Sequence, residues 1–175
     1  MVQPCCFCYK ICTIYLGDLR MKIYQAGPLF SEAEQQWHRQ FGQDLQQAGF
    51  EVLWPFDLCT QEEIASWGTD APRRIMEQDR LALESCDVVV ALLDGAQVDD
   101  GTAWEIGYAF ARGIPVIGVR TDFRQGGDTA HSCVNAMIEG SCVRIAASRD
   151  EAVAVLRELG TISVRHSRTA GKRPG

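Results

Sequence analysis

Residues 87–120, DVVVALLDGAQVDDGTAWEIGYAFARGIPVIGVR, set the strongest limit on how this chain can fold. The segment 87–93 is a run of β-branched and aliphatic residues without alternation, the pattern of a strand buried on both faces. Residues 94–100 form a short, polar, acidic loop. A helix is predicted over 101–111, apolar almost all round and therefore buried. Gly113 and Pro115 end it, and residues 116–119 read as the next buried strand. Glu105 is the charged residue inside that helix. Burial of an unpaired charge is costly, so Glu105 is either paired or used.

The rest of the chain repeats the alternation. Residues 22–26 read as a strand and 27–30 as the loop after it. Ser31 and Glu34 have the spacing of a capping box. Trp37, Phe41, Leu45 and Ala48 then give an apolar stripe at helical spacing, closed by Gly49. His38 on this helix is expected at the surface. Residues 50–54 are the second strand, ended by Pro55. Thr60 and Glu63 open a short helix. Asp70 as N-cap and Pro72 in the first turn open a longer one ending near Ser85. On it, Asp79 shares a face with Ile75, Ala82 and Cys86 and points inward. Past the central unit, 121–128 is a Gly-rich polar loop, 129–139 a helix or helical turn, and 142–145 a fifth strand. Ser148 and Glu151 open a final helix to about Leu159.

Strands alternating with helices predict a parallel sheet covered on both faces. Right-handed crossovers and five strands predict a doubly wound α/β sheet of order 2-1-3-4-5. Such sheets bind ligands beyond the carboxyl ends of the strands, at the switch point between strands one and three. That edge receives the loop 27–30, the loop 94–100 and the helix bearing Glu105.

Composition narrows the classes. A net charge of -6 gives no expectation of general affinity for nucleic acid or anionic membrane. No apolar run approaches the ~20 residues that span a bilayer. Eight cysteines split into a cluster at 5, 6, 8 and 12 and four scattered positions. The cluster has no histidine nearby, so no metal site is expected. Cys59, Cys86, Cys133 and Cys142 are expected as small buried hydrophobes in a reducing cytosol. Residues 1–20 are expected as a disordered extension, 21–160 as the domain, and 161–175 as a solvated basic tail.

Three carboxylates converge in this reading: Asp79, Asp99 and Glu105. Ordinary structural roles compete with a functional one. Asp99 or Asp100 can cap the helix that follows. Asp79 can pair with Arg73, Arg74 or Arg80, and Glu105 with Arg112. If they are unpaired, they suit cleavage of a glycosidic bond. One attacks the anomeric carbon or stabilises its positive character, and another hands a proton to the leaving group. Glu105 suits the ionised role near its helix N-terminus. Asp79 and Asp99 suit proton handling where repulsion raises a pKa. Tyr24 can hold Glu105 through its hydroxyl. A P-loop, a G-x-G-x-x-G fingerprint and a G-x-S-x-G elbow are all missing. The turn at Gly27 and Pro28 has no basic residue to help a phosphate onto the next helix.

The segments IYQAGPLF at 23–30 and DDGTAWEIGYA at 99–109, with EQD at 77–79 and VNAM at 134–137, resemble the nucleoside 2-deoxyribosyltransferase family. The resemblance spans residues 21–159 and implies a flavodoxin-like fold. It implies transfer of 2-deoxyribose between nucleobases, with retention, through a covalent deoxyribosyl-glutamate. Glu105 is then the nucleophile, Asp79 and Asp99 address the base, and Tyr24 orients Glu105. Gly27, Pro28, Leu29, Phe30, Met76, Gly101, Asn135 and Met137 fall at substrate-binding positions. Asn135 corresponds to an asparagine that reaches the sugar 5'-hydroxyl from a neighbouring subunit. A cytoplasmic homo-oligomer is implied, acting on 2'-deoxyribonucleosides and free bases in nucleotide salvage, with no cofactor. Related monophosphate glycosidases hold phosphate with a Gly/Arg-rich loop after strand one, and 27–31 lacks that arginine. Hydrolysis of a nucleotide or NAD, and nucleotide binding without turnover, are the alternatives.

Overall fold

The computed structural model of the protein describes residues 20–170. The expectations for 1–19, including the cysteine cluster, and for 171–175 lie outside the described residues. Five parallel strands form one sheet of order β2-β1-β3-β4-β5. They are β1 (Lys22–Ala26), β2 (Glu51–Leu53), β3 (Val88–Leu92), β4 (Val116–Val119) and β5 (Arg144–Ala146). The helices are α1 (Glu32–Gln47), α2 (Gln61–Ser66), α3 (Ala71–Glu84), α4 (Asp100–Arg112), α5 (Ala136–Ser141) and α6 (Arg149–Ala170). This is the doubly wound, flavodoxin-like arrangement expected. None of the helices among the described residues is long and apolar enough to cross a membrane.

The pleat sorts the core into two layers. Ile23, Val88 and Val90 face α1 and α6, where they pack with Phe41, Leu45 and Leu156. Tyr24, Val89 and Ala91 face α3 and α4, where they pack with Leu83 and Ile106. All of β3 and β4 is buried, which explains their unbroken apolar sequence.

Local signals held at most helix starts. Ser31 and Thr60 each form a complete capping box. Asp70 differs: the chain enters α3 from a 3-10 turn at Gly68–Asp70, so its side chain caps nothing. The α4 helix is buried on one side only, with Trp104 exposed and stacked on Tyr108. Residues 129–135 are turns, and α5 starts at Ala136 with Asn135 as its cap. The last helix passes the expected end at Leu159 and runs to Ala170. A glycine inside a helix costs only about 1 kcal/mol, and no proline intervenes before Pro174, so basic composition is compatible with helix there.

His38 is buried, against the surface position expected. It sits three residues before Phe41 and seven before Leu45, on the apolar stripe itself. Gln25 of β1 supplies its partner: the amide Nε2 lies 2.7 Å from His38 Nδ1 and donates to the His38 carbonyl at 2.9 Å. Burial pushes the imidazole pKa down to about 4, so the ring is neutral near pH 7. Among the scattered cysteines only Cys86 is fully buried; Cys59, Cys133 and Cys142 are half-buried.

Candidate active site

Tyr24 lies at the middle of β1, with its side chain in the layer between the sheet and α3 and α4. Its hydroxyl donates to Glu105 Oε1 at 2.5 Å, across the strand–helix interface. Tyr24 is fully buried, and that burial, together with the charge of Glu105, drives the phenol pKa far above its ordinary value. The phenol therefore stays protonated and acts as a fixed donor. Burial also raises the Glu105 pKa, to about 7, against the lowering effect of the Tyr24 hydrogen bond. The negative charges of Asp79 and Asp99 push it the same way. Both aspartates thus act on Glu105 through space.

Asp79 is held on the inward side of α3, and burial raises its pKa to about 6. It makes no hydrogen bond or ion pair among the described residues. The arginines that could have neutralised the site are engaged elsewhere. Arg80 pairs with Glu84 at 3.0 Å and with Glu77 at 3.9 Å, and Arg112 pairs with Glu84 at 3.4 Å. Tyr108 also donates to Glu84. One outer glutamate thereby collects the nearby cations and leaves the inner carboxylates unpaired.

Asp99 combines two roles. It is the N-cap of α4, with Oδ2 accepting from the Thr102 main-chain N–H at 2.9 Å and the Thr102 hydroxyl at 3.0 Å. Both bonds fall on one oxygen, so Oδ1 is left for another partner. Thr102 is buried and went unnoticed in the sequence; its place three residues after a capping aspartate was the available signal. Gly101 lies beside the same carboxylate, 3.3 Å from its Oδ2 at the place a Cβ would occupy.

The loop 27–31 leaves β1 three residues after Tyr24 and is held entirely from α1. Glu34 Oε2 accepts from the main-chain N–H groups of Phe30 at 3.0 Å and Ser31 at 2.7 Å. Gln35 donates to the Leu29 carbonyl at 2.9 Å. Beneath Gly27 the His38 ring comes so close that a Cβ would stand 2.5 Å from it. Pro28 and Leu29 are half-buried, while Phe30 is 79% exposed at the rim. Met76, on α3 three residues before Asp79, is exposed as well.

Asn135 and Met137 stand on a different segment. Asn135 Oδ1 accepts from the Met137 N–H at 3.0 Å, and its amide donates to Asp128 at 3.1 Å. Met137 is 79% exposed. No hydrogen bond joins Asn135 to Tyr24, Asp79, Asp99 or Glu105 within the chain.

Fold and site together define a flavodoxin-like α/β protein with acidic groups, none of them in an ion pair among the described residues, gathered beside the switch point. The sequence matches the family described as nucleoside 2-deoxyribosyltransferase over residues 23–137, well over half of the chain. The chain belongs to that family, an enzymatic one of deoxyribosyltransferases and related N-glycosidases. An uncharacterized protein of Schizosaccharomyces pombe is 32% identical over 121 residues, covering 66% of this chain and 53% of its own length. The chain thus spans about half the length of that curated relative. A conserved protein from Enterococcus faecalis V583 superposes with a TM-score of 0.67 at 27% identity, over 80% of this chain and 99% of that one. A 2-deoxyribosyltransferase from Bacillus psychrosaccharolyticus gives 0.64 at 22% identity, over 75% and 90% of the respective chains. The CMP N-glycosidase of Clostridium botulinum gives 0.50 at 21% identity, over 78% and 98%.

Proposed function

We propose that the protein transfers 2-deoxyribose from one nucleobase to another through a covalent intermediate on Glu105. The observation that carries this reading is the Tyr24–Glu105 hydrogen bond beside carboxylates that have no cation partner among the described residues. Tyr24 fixes one oxygen of Glu105 and leaves the other to attack. That oxygen forms a bond to C1' as the C1'–N bond breaks, and the electron pair leaves with the base. Asp79 or Asp99 supplies the proton that the departing base takes up. A second base then attacks C1', expels Glu105 with retention overall, and returns a proton to the same carboxylate. Each half-reaction balances without metal or cofactor.

In this reading free nucleosides are the substrates, and the site is completed in a homo-oligomer. Asn135 of a neighbouring subunit addresses the sugar 5'-hydroxyl, and Met137 and Phe30 line the opening. Mixing the inactive variants Glu105→Gln and Asn135→Ala tests the shared site. Partial recovery of activity on subunit exchange supports it, and none argues against it.

Incubation with deoxyinosine and adenine tests the reaction. Formation of deoxyadenosine supports transfer. Hydrolysis of the same bond is the second reading, favoured by a rim left open to water at Phe30 and Met76. Free hypoxanthine without a new nucleoside would establish it. Turnover of neither kind across a panel of bases would leave a binding domain.

A further inference from the structure

The two helices that carry Asp79 and Glu105 also carry cations close to them in sequence. Arg80 follows Asp79 on α3, and Arg112 lies two turns past Glu105 on α4. Either could neutralise the site. Neither does, because both are drawn to Glu84 at the end of α3, Arg80 at 3.0 Å and Arg112 at 3.4 Å. The Tyr108 hydroxyl donates to the same carboxylate, and its ring stacks on Trp104 with centroids 5.1 Å apart. Trp104 and Tyr108 bracket Glu105 along α4, so the knot is tied to the turn that carries it.

Glu84 differs from the other paired carboxylates among the described residues. Glu51, Asp122, Glu158, Asp44 and Glu77 each meet one cation, and Glu84 meets two. Partly exposed ion pairs add little stability. Their charge still reaches a buried carboxylate nearby, where water screens less. The other arginines of α3 are placed elsewhere: Arg74 lies over the Trp67 ring at 5.7 Å, and Arg73 lines a surface cavity with Asp70 and Glu77. The groups that act on Glu105 are neutral or acidic: Tyr24 from β1, Asp79 from α3 and Asp99 from the start of α4. Cys86, past α3, acts on Tyr24. Glu139 of α5, which packs on α4, takes the Cys133 and Val134 N–H groups.

We infer that Glu84 is a positioning residue for the acid–base chemistry: by holding Arg80 and Arg112 to itself, it keeps cations off Asp79 and Glu105 and so sets the pH at which the site works. This rests on those carboxylates being the working groups of the reaction proposed above.

The test is the pH profile of kcat/KM for hypoxanthine release from deoxyinosine, with adenine as acceptor. It compares the parent with Glu84→Gln, Arg112→Gln and the double variant. Glu84→Gln keeps an oxygen for the Tyr108 hydroxyl but leaves one positive charge uncompensated. Both limbs of its profile move to lower pH by about half a unit, the scale of one charge acting across a helix–helix contact. At a fixed pH on the falling limb the rate drops about threefold. Arg112→Gln moves both limbs up by a similar amount, and the double variant returns to the parent. A structural disturbance would not reverse with the sign of the charge. Limbs that stay in place, or that move the same way in both single variants, overturn the inference. Arg112 is exposed, so its variant decides the matter even if Glu84→Gln fails to fold. Carbon-13 NMR titration of the Asp79 and Glu105 carboxyls in the same proteins separates this from the proposed reaction. If the parent turns over nothing, the reaction is wrong, while opposite displacements of those titrations still uphold the role of Glu84. Unmoved titrations sink it.

Discussion

The two faces of β1 bury polar groups in opposite ways. Toward α1, Gln25 meets His38, and the pair is neutral, closed off and fully buried. Toward α3 and α4, Tyr24 meets Glu105, with Asp79 and Asp99 acting on it, and this group is ionisable, charged and short of cations. Adjacent residues of one strand thus face the same desolvation cost. On the first side it is met in part by the contacts of Gln25 Nε2 with His38, while Gln25 Oε1 is buried without a partner among the described residues. On the second it is left partly unmet and appears as raised carboxyl pKa values of about 6 and about 7. The comparison separates a polar pair that serves the fold from one that the fold keeps at a cost, and only the latter has reactive chemistry to offer.

The sharpest break of that contrast is Glu105→Gln. Turnover should fall by roughly 10³-fold or more, as for loss of a covalent nucleophile, measured by base release. Stability should move the other way. The folded pKa of Glu105 lies above its ordinary 4.5, at about 7, so the folded state holds the proton more tightly. Parent stability therefore declines as pH rises from the ordinary value through the raised one. Gln carries no such loss, and the variant should gain about 2 kcal/mol on the parent between pH 5 and pH 8 in denaturant titrations. A variant less stable at pH 8 would mean that the charge is satisfied after all.

Next in size is Tyr24→Phe. It removes the donor that lowers the Glu105 pKa while keeping the ring in the core. kcat should drop roughly 10- to 100-fold, the scale of a lost transition-state hydrogen bond. The parent should show a bell-shaped pH profile with its maximum between about 6 and about 7; the upper inflection belongs to Glu105, so the variant's falling limb should move to higher pH and the maximum should drop. An unmoved limb would make Tyr24 only a packing residue.

The other face of the strand gives a stability effect instead. Gly27→Ala drives a Cβ against the His38 ring at 2.5 Å and should cost about 2 kcal/mol. His38→Ala should recover part of that loss in the double variant, with the pH profile unchanged throughout. Coupling that alters the pH profile would blur the distinction between the faces. The smallest change is Thr102→Val, which strips one of the two bonds from Asp99 Oδ2. A decrease in kcat of about threefold, with KM nearly constant, is expected for a net hydrogen bond worth about 0.5–1 kcal/mol.

Much of this was legible from residue order. Unbroken apolar runs at β3 and β4 and repeated capping signals specify a parallel sheet, and the sheet order follows from handedness. The positions of Asp79, Asp99 and Glu105 follow from face and topology. What escaped was decided between elements. Nothing in α1 alone says that His38 is buried, because its partner Gln25 comes from β1. The pairing of Arg112 with Glu84 instead of Glu105 depends on how α3 and α4 cross. Thr102 acts in part through its main-chain N–H, which side-chain chemistry does not announce.

Arg120, at the end of β4, is buried and forms no ion pair with a carboxylate among the described residues. Its guanidinium instead gathers the carbonyls of Leu93, Gly95 and Arg124. Asp94 and Asp122 stitch the same loops from outside, through Thr121 and Gly95. The loop before Asp99 and the loop before Asn135 are therefore one mechanical unit. In hydrogen–deuterium exchange, the amides of Gly95, Thr121 and Asp122 should open with a common rate, and Arg120→Met should release all of them together.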